Sequence, residues 1–387
     1  MEKFIFDLSV IIILAAILSY VAVLLKQPII LAYIACGVLA GPWGMGWIRD
    51  LGFIESISRL GITLLLFLAG LCLHPQKLFG LFKKTGLATA TNCIVSFAIA
   101  FLFAIIFKFS AIESMVIGLA LMFSSTILVI KLLPTTRLHQ ERMGGICISV
   151  LIMEDLLAIV VLAYIRCLSL PGNAFVSFGL LLVKLLIFIA ILVLLEQFVL
   201  RKIMLRVERL HEALFILGLA WCFAIAAISA KIGMFHETGA FFAGVVLARH
   251  PISFFITERL KPLRDFFLVL FFFALGAKLD IPALKQVIFI SILLAGVFLI
   301  VKPWLFKRLF VLAKEERSFS KEIGFRLGQL SEFSLLIAIL AFQLGNISCR
   351  ASQLIQLTTL ITFIVSSYIV VMRYPTPIGT SAKLNRD

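Results

Sequence analysis

A chain of 387 residues that is 62% hydrophobic and only 14% charged, with a mean hydropathy of +1.15, carries more apolar side-chain surface than a soluble core of its length can enclose. Composition therefore excludes a water-soluble enzyme and marks an all-α polytopic membrane protein whose surroundings are the lipid bilayer. The formal charge of +15 does not indicate nucleic acid, because the basic residues lie in short breaks between apolar runs rather than on one face or one tail, where they act as topology signals.

Apolar runs divided by charged or Pro/Gly-bearing breaks predict about thirteen transmembrane helices, at roughly 5–25, 28–47, 55–73, 86–107, 113–133, 143–165, 175–199, 211–230, 233–248, 256–277, 284–312, 321–345 and 351–372. The first run has no basic leader and no small-residue cleavage site, so it is expected to stay as the first span. Between the second and third runs, GPWGMG at 41–46 follows a membrane run rather than a strand, and reads as a turn, not a dinucleotide loop. About 24 of the 35 basic residues fall on the side of the odd-numbered breaks, about 8 on the other side and about 3 within spans, which places the N-terminus outside and the C-terminus in the cytoplasm.

Thirteen spans divide into six, a linker and six, and the odd number of crossings between the two starts makes them inverted repeats. In that register the fifth span pairs with the twelfth. Both carry polar interruptions, Ser124, Ser125 and Thr126 in one and Gln329, Ser331, Glu332 and Ser334 in the other. Paired interrupted helices point to a transport site.

The sixth run carries Glu154 and Asp155 side by side near its middle. One acid at a helix centre costs roughly 2.5–3.5 kcal/mol, so two neighbours imply a wet, cation-attracting cavity or a compensating charge. Asp155 would sit roughly 18 Å into a core about 30 Å thick. A hydrated carboxylate holds a monovalent cation or a proton but not both, which suffices for exchange if the site opens to one side at a time. The two acids point about 100° apart on a helix and need not share one task; the alternative is that both face a packed polar interface. Lys302, followed by Pro303, lies in the eleventh span, where it would either neutralise an acid when no cation is bound or snorkel to the interface. Pro303 is expected to disturb helical geometry there. Glu332 and Glu237 are further acids whose alternative role is pairing with Arg326 or His236, while Lys184 and Asn92 read as packing features. The seven cysteines, Cys36, Cys72, Cys93 and Cys147 among them, are spaced like apolar fillers rather than metal ligands.

LLLFLAGL (64–71), ALMFSSTILVIKLL (120–133), MEDLLAIVVL (153–162), HETGAFFAGVVLA (236–248), LFFFALGAKLD (270–280) and GQLSEFSLL (328–336) occur in order along nearly the whole chain. Together they resemble the monovalent cation:proton antiporter-2 family. The resemblance implies the sodium/proton antiporter fold, in which the segment with Ser124, Ser125 and Thr126 unwinds and crosses a second broken helix, here the one with Ser331 and Glu332. It further implies that Asp155 is the main ion- and proton-binding carboxylate and the ligand of the monovalent cation. Glu154 then occupies a variable first position, and Lys302 is its charge partner. A homodimer is implied, with core helices at about 86–165 and 284–372 inside a transmembrane domain of residues 1–373 and scaffold helices elsewhere. Two departures matter. Cys72 stands where many members have an acid, and the chain ends in a short cytoplasmic tail, 374–387, so no nucleotide-binding domain and no regulation by nucleotide or glutathione are expected.

The expected function is a secondary antiporter of the inner membrane that exchanges sodium or potassium for protons by an elevator-like movement, with no enzymatic activity and no cofactor beyond the transported ions. Rival readings are a gated cation channel on the same fold, an intramembrane enzyme using the two acids, and a transport-dead sensor.

Overall fold

With no water in a bilayer core to bond a bare amide, each spanning segment has to satisfy its own N–H and C=O groups, and helices do so. A computed structural model describes residues 2–25, 27, 29–71, 75–133, 138–168, 174–207, 210–249, 252–279 and 281–376, and no β-strand occurs among them. In chain order the helices begin with α1 (Glu2–Leu24), α2 (Ile29–Ala40), α3 (Leu51–Leu71), α4 (Pro75–Ile106), α5 (Ala111–Ala120), α6 (Thr126–Leu132) and α7 (Leu138–Leu168). They continue with α8 (Ala174–Leu195), a π-helical turn (Glu196–Leu200), α9 (Arg201–Val207), α10 (His211–Ile232), α11 (His236–Leu247) and α12 (Ile252–Ala277). The last four are α13 (Ile281–Leu312), α14 (Arg317–Arg326), α15 (Glu332–Gln343) and α16 (Cys349–Arg373).

Seven of the described helices are long and apolar enough to cross a membrane. Where the sequence suggested single spans at 113–133 and 321–345, the backbone instead forms two short helices each, with non-helical links at 121–125 and 327–331. The span expected at 28–47 stops as a helix at Ala40, because Gly41 and Pro42 open a turn that ends on Gly46 with φ +66°. Residues 374–376 follow α16, and the rest of the tail lies outside the described residues, as does Cys72.

The chain forms two compact units. The first comprises Met1–Val21, Ile29–Leu78 and Leu170–Leu279. Within it α3 packs on α11 and α12, and α2 packs on α12. Glycines make these approaches possible: a Cβ on Gly244 would lie 2.1 Å from the carbonyl oxygen of Phe67, and one on Gly70 would lie 2.2 Å from that of Phe241. Two backbones that meet this closely gain dispersion along their whole contact, as small residues at membrane helix interfaces generally allow. Gly244→Ala is therefore expected to lower unfolding free energy in detergent by about 1–3 kcal/mol. Gly179→Ala on α8, where nothing lies within 4 Å of the new methyl, is expected not to lower it and to raise it by up to about 1 kcal/mol. Equal melting of the two variants would show that the α3–α11 approach is slack.

The second unit comprises Ala22–Pro28, Phe79–Ser169 and Asp280–Asp387. Its core joins Cys147, Val150 and Leu151 of α7 to Phe306 and Phe310 of α13 and Phe319 and Ile323 of α14. Of the most apolar stretch of α7, 72% is buried, against 17% for α1, so polar groups on α7 must find partners inside the protein. α13 runs without a break through Pro303, contrary to the irregularity expected there. Proline deletes one helical hydrogen bond and leaves the rest of the ladder intact, a loss that membrane helices tolerate when neighbours fill in. α14 packs closely against this point: Gly324 faces the carbonyl of Pro303, which a Cβ would approach to 2.4 Å, and Gly328 meets the proline ring. That contact fixes α13 next to Lys302.

Candidate ion-binding site

A helix that stops inside an apolar unit exposes unpaired N–H groups at one end and unpaired carbonyls at the other, and each needs a partner. The breaks at 121–125 and 327–331 create four such ends in the second unit, and side chains of opposite character meet them. At the start of α6, Ser125 caps the helix by accepting from the N–H of Leu128 (3.1 Å). Glu332 Oε1 accepts from the next free amide, that of Ile127 (3.1 Å). At the end of α5 the hydroxyl of Ser334 donates to the carbonyl of Ala120 (2.6 Å), so each broken helix supplies a group to the other. Ser331 caps α15 through the N–H of Phe333, and Thr362 of α16 accepts from the N–H of Leu330 (3.2 Å). Ser366 donates to Gln329 Oε1 at 3.0 Å.

The two adjacent acids of α7 occupy different surroundings. Glu154 is fully buried: Oε1 accepts from Asn92 Nδ2 (2.9 Å) and Oε2 from the backbone N–H of Ser124 (2.6 Å). Lys302 is fully buried as well, so it does not snorkel. Its ammonium donates to the carbonyl of Phe123 (2.8 Å) and interacts electrostatically with Glu154 without a direct ion pair. Carboxylate and ammonium thus grip neighbouring backbone groups of one unwound segment, the anion its N–H and the cation its C=O. Among the described residues, the hydrogen-bond partner of Asp155 is Thr126, whose hydroxyl lies 3.2 Å from both Oδ1 and Oδ2. Asp155 also feels the charge of Glu332 and of Glu154. Repulsion among these acids is relieved by a cation or a proton.

Among the described residues, Glu332 Oε2 is a buried oxygen at the crossing without a hydrogen-bond partner. Such orphans are rare in native proteins and mark an ion or water position or stored strain. Oxygen donors of this kind suit a hard monovalent cation. Among the described residues no group of three or more His, Cys, Asp or Glu side chains converges as a metal cluster.

Glu154, Asp155, Lys302, Ser124, Ser125, Thr126, Ser331 and Glu332 all lie in the second unit. Glu332 does not pair with Arg326, the alternative the sequence left open; Arg326 bonds Glu322 instead. Glu237 and the exposed Lys184 belong to the first unit. Asn92, read from sequence as a packing feature, is a direct partner of Glu154. Its signal was the buried stripe Thr85, Thr89, Asn92 and Ser96 on α4, which recurs at the helical period on one face. Cys36, Cys93, Cys147, Cys167 and Cys222 are free thiols.

The sequence model of the family described as "Sodium/hydrogen exchanger, transmembrane" matches residues 10–372. The glutathione-regulated potassium-efflux system protein KefC of Klebsiella pneumoniae (strain 342) is 29% identical over 331 residues, covering 84% of this chain and 53% of the relative. The protein of the same description from Salmonella enteritidis PT4 is 30% identical over 332 residues with the same coverage. The chain spans about half the length of these curated relatives. Among solved structures, the sodium proton antiporter MjNhaP1 from Methanocaldococcus jannaschii superimposes with a TM-score of 0.73 at 15% identity, covering 95% of both chains, a likeness of fold.

Proposed function

This chain belongs to the sodium/hydrogen exchanger family, a family of multi-pass membrane transporters rather than enzymes, and from that premise we propose that it is a secondary antiporter exchanging sodium or potassium for protons at the crossing of its two broken helices. The observation that carries the proposal is the meeting of Asp155 and Glu332 where α6 and α15 begin, with an unpartnered oxygen on Glu332. Helix N-termini turn their positive ends towards those acids and hold them in place. The cation enters against Asp155, is shared with Glu332, and displaces a proton. Glu154 and Lys302 hold the unwound segment and supply a second charge pair that responds when the load changes. Every one of these residues falls in a single compact unit, which supports an elevator-like movement of that unit with its cargo. The paired interruptions likewise support inverted repeats within thirteen crossings. The ion gradients alone drive the cycle, without a cofactor. The protein works as a homodimer in the inner membrane, with its N-terminus outside and its C-terminus in the cytoplasm.

The test is proton movement in proteoliposomes, followed with a pH dye after separate pulses of sodium, potassium and lithium. Cation-evoked proton flux establishes exchange and ranks the ions, whereas cation flux without proton movement would make the protein a channel. Glu332→Gln separates the two acids. The amide keeps an acceptor for Ile127 but removes the second charge, so the apparent KM for the cation rises about tenfold with kcat largely retained. An unchanged KM would reduce Glu332 to a helix cap.

A further inference from the structure

α6 has seven residues, too few to hold a helix by themselves, yet it carries Thr126, the hydrogen-bond partner of Asp155. One end is held by Ser125 and Glu332. At the other end, Arg326 reaches across from the last residue of α14 and donates through Nη1 to the carbonyl of Leu132, the final residue of α6, at 2.8 Å. Only 2% of Arg326 is exposed, and its remaining bonds are all specified. Nε and Nη2 take Glu322 Oε1 at 2.9 and 2.7 Å, and Nη2 donates to the carbonyl of Pro375 at 2.8 Å, just beyond α16. The tail segment is seated there by more than that bond: the Tyr374 ring lies 5.9 Å from both the guanidinium carbon of Arg326 and the ring of Phe325, and Thr376 is fully buried. One guanidinium therefore ties three separate pieces of chain, the end of α6, the end of α14 and residues 374–376. A planar fork with five donors can do this; a lysine ammonium cannot match the three directions.

We propose that Arg326 is a positioning residue for the cation site and that the segment 374–376 is its latch, so that displacing this segment loosens α6 and with it Thr126 beside Asp155. The proposal rests on the exchange reading above for its effect on transport, but its structural half stands without it. A cytoplasmic event that pulls on the chain after α16 would then change cation affinity with no contact to the ion.

The experiment compares hydrogen exchange and transport in the full chain, Arg326→Gln, a chain ending at Thr376 and one ending at Arg373. Ending at Arg373 and Arg326→Gln are both expected to speed amide exchange across 126–132 by about tenfold while α7 and α13 keep their protection. Ending at Thr376 leaves all three at the full-length rate. In proteoliposomes the first two raise the cation KM about fivefold with kcat little changed, since the site is misplaced rather than removed. Unchanged exchange at 126–132 in the chain ending at Arg373 would overturn the latch. Loss of protection spread over α7 and α13 would overturn it too, because Arg326 would then be holding the whole unit. A full-length protein that moves no protons would defeat the antiport reading alone, and the hydrogen-exchange pattern would still decide the latch.

Discussion

Asp155→Asn is expected to lower cation-driven proton flux by at least about two orders of magnitude. The amide retains a carbonyl oxygen for the Thr126 hydroxyl, so the local geometry survives, but it can neither ionise nor take up the displaced proton. A carboxylate about 4 Å from a monovalent cation contributes about 4 kcal/mol at an effective dielectric constant near 20, which corresponds to about a thousandfold in affinity. Glu332 keeps part of the attraction, hence the smaller expected loss. Thermal stability in detergent does not fall, because a neutral amide is cheaper to bury than a carboxylate. Dye-monitored flux together with a melting curve checks both halves. Flux within a few-fold of the unsubstituted protein would move the load from Asp155 to Glu332 or Glu154.

The difference between Asp155 and Glu154 is one of partners rather than of residue type. Glu154 has two well-placed donors and a lysine within electrostatic reach, so its charge is compensated without any ion. Asp155 has one shared hydroxyl and two acids nearby, and on the antiport reading proposed above a cation or a proton offsets their repulsion. Adjacent positions on one helix thus meet different surroundings, one compensated by Lys302 and one beside a second acid, as the 100° turn between neighbouring residues allows.

Much of this was legible in the sequence because lipid makes polar residues conspicuous. Glu154, Asp155, Lys302 and the run from Ser124 to Thr126 stand out against apolar neighbours, and the polar interruptions at 124–126 and 329–334 coincide with links between short helices. The partners were less legible, since several are backbone groups. The carbonyl of Phe123 and the amides of Ser124 and Ile127 have no residue signature, and they become partners only when the chain folds. Ile127 and Glu332 lie 205 residues apart. Pro303 misled in the opposite direction: its local preference is real, but α14 approaches through Gly324 and Gly328, and the helix continues. Arg326 pairs with Glu322 at the ordinary i,i+4 spacing, while its bonds to a helix end and a tail carbonyl follow from no spacing rule.

Lys302→Met is expected to cost about 3 kcal/mol of stability and to abolish exchange, and adding Glu154→Gln to it should restore most of the stability but not the exchange. Methionine replaces the lysine stem in volume, so the loss is electrostatic: the Phe123 carbonyl loses its donor and Glu154 becomes a buried charge without a cation nearby. Breaking one side of a buried charge arrangement is costly because the other side stays behind, whereas neutralising both is close to neutral. Glutamine at 154 accepts from either Asn92 or the Ser124 amide but turns an NH2 towards the other, which leaves a residual deficit of about 1 kcal/mol. A double-mutant cycle of melting free energies should therefore give a coupling of about 3 kcal/mol. Additivity of the two changes would mean that Lys302 serves only the Phe123 carbonyl. The transport half is read separately, since a stable double variant that still fails to exchange shows that the charge pair acts in the cycle and not merely in folding.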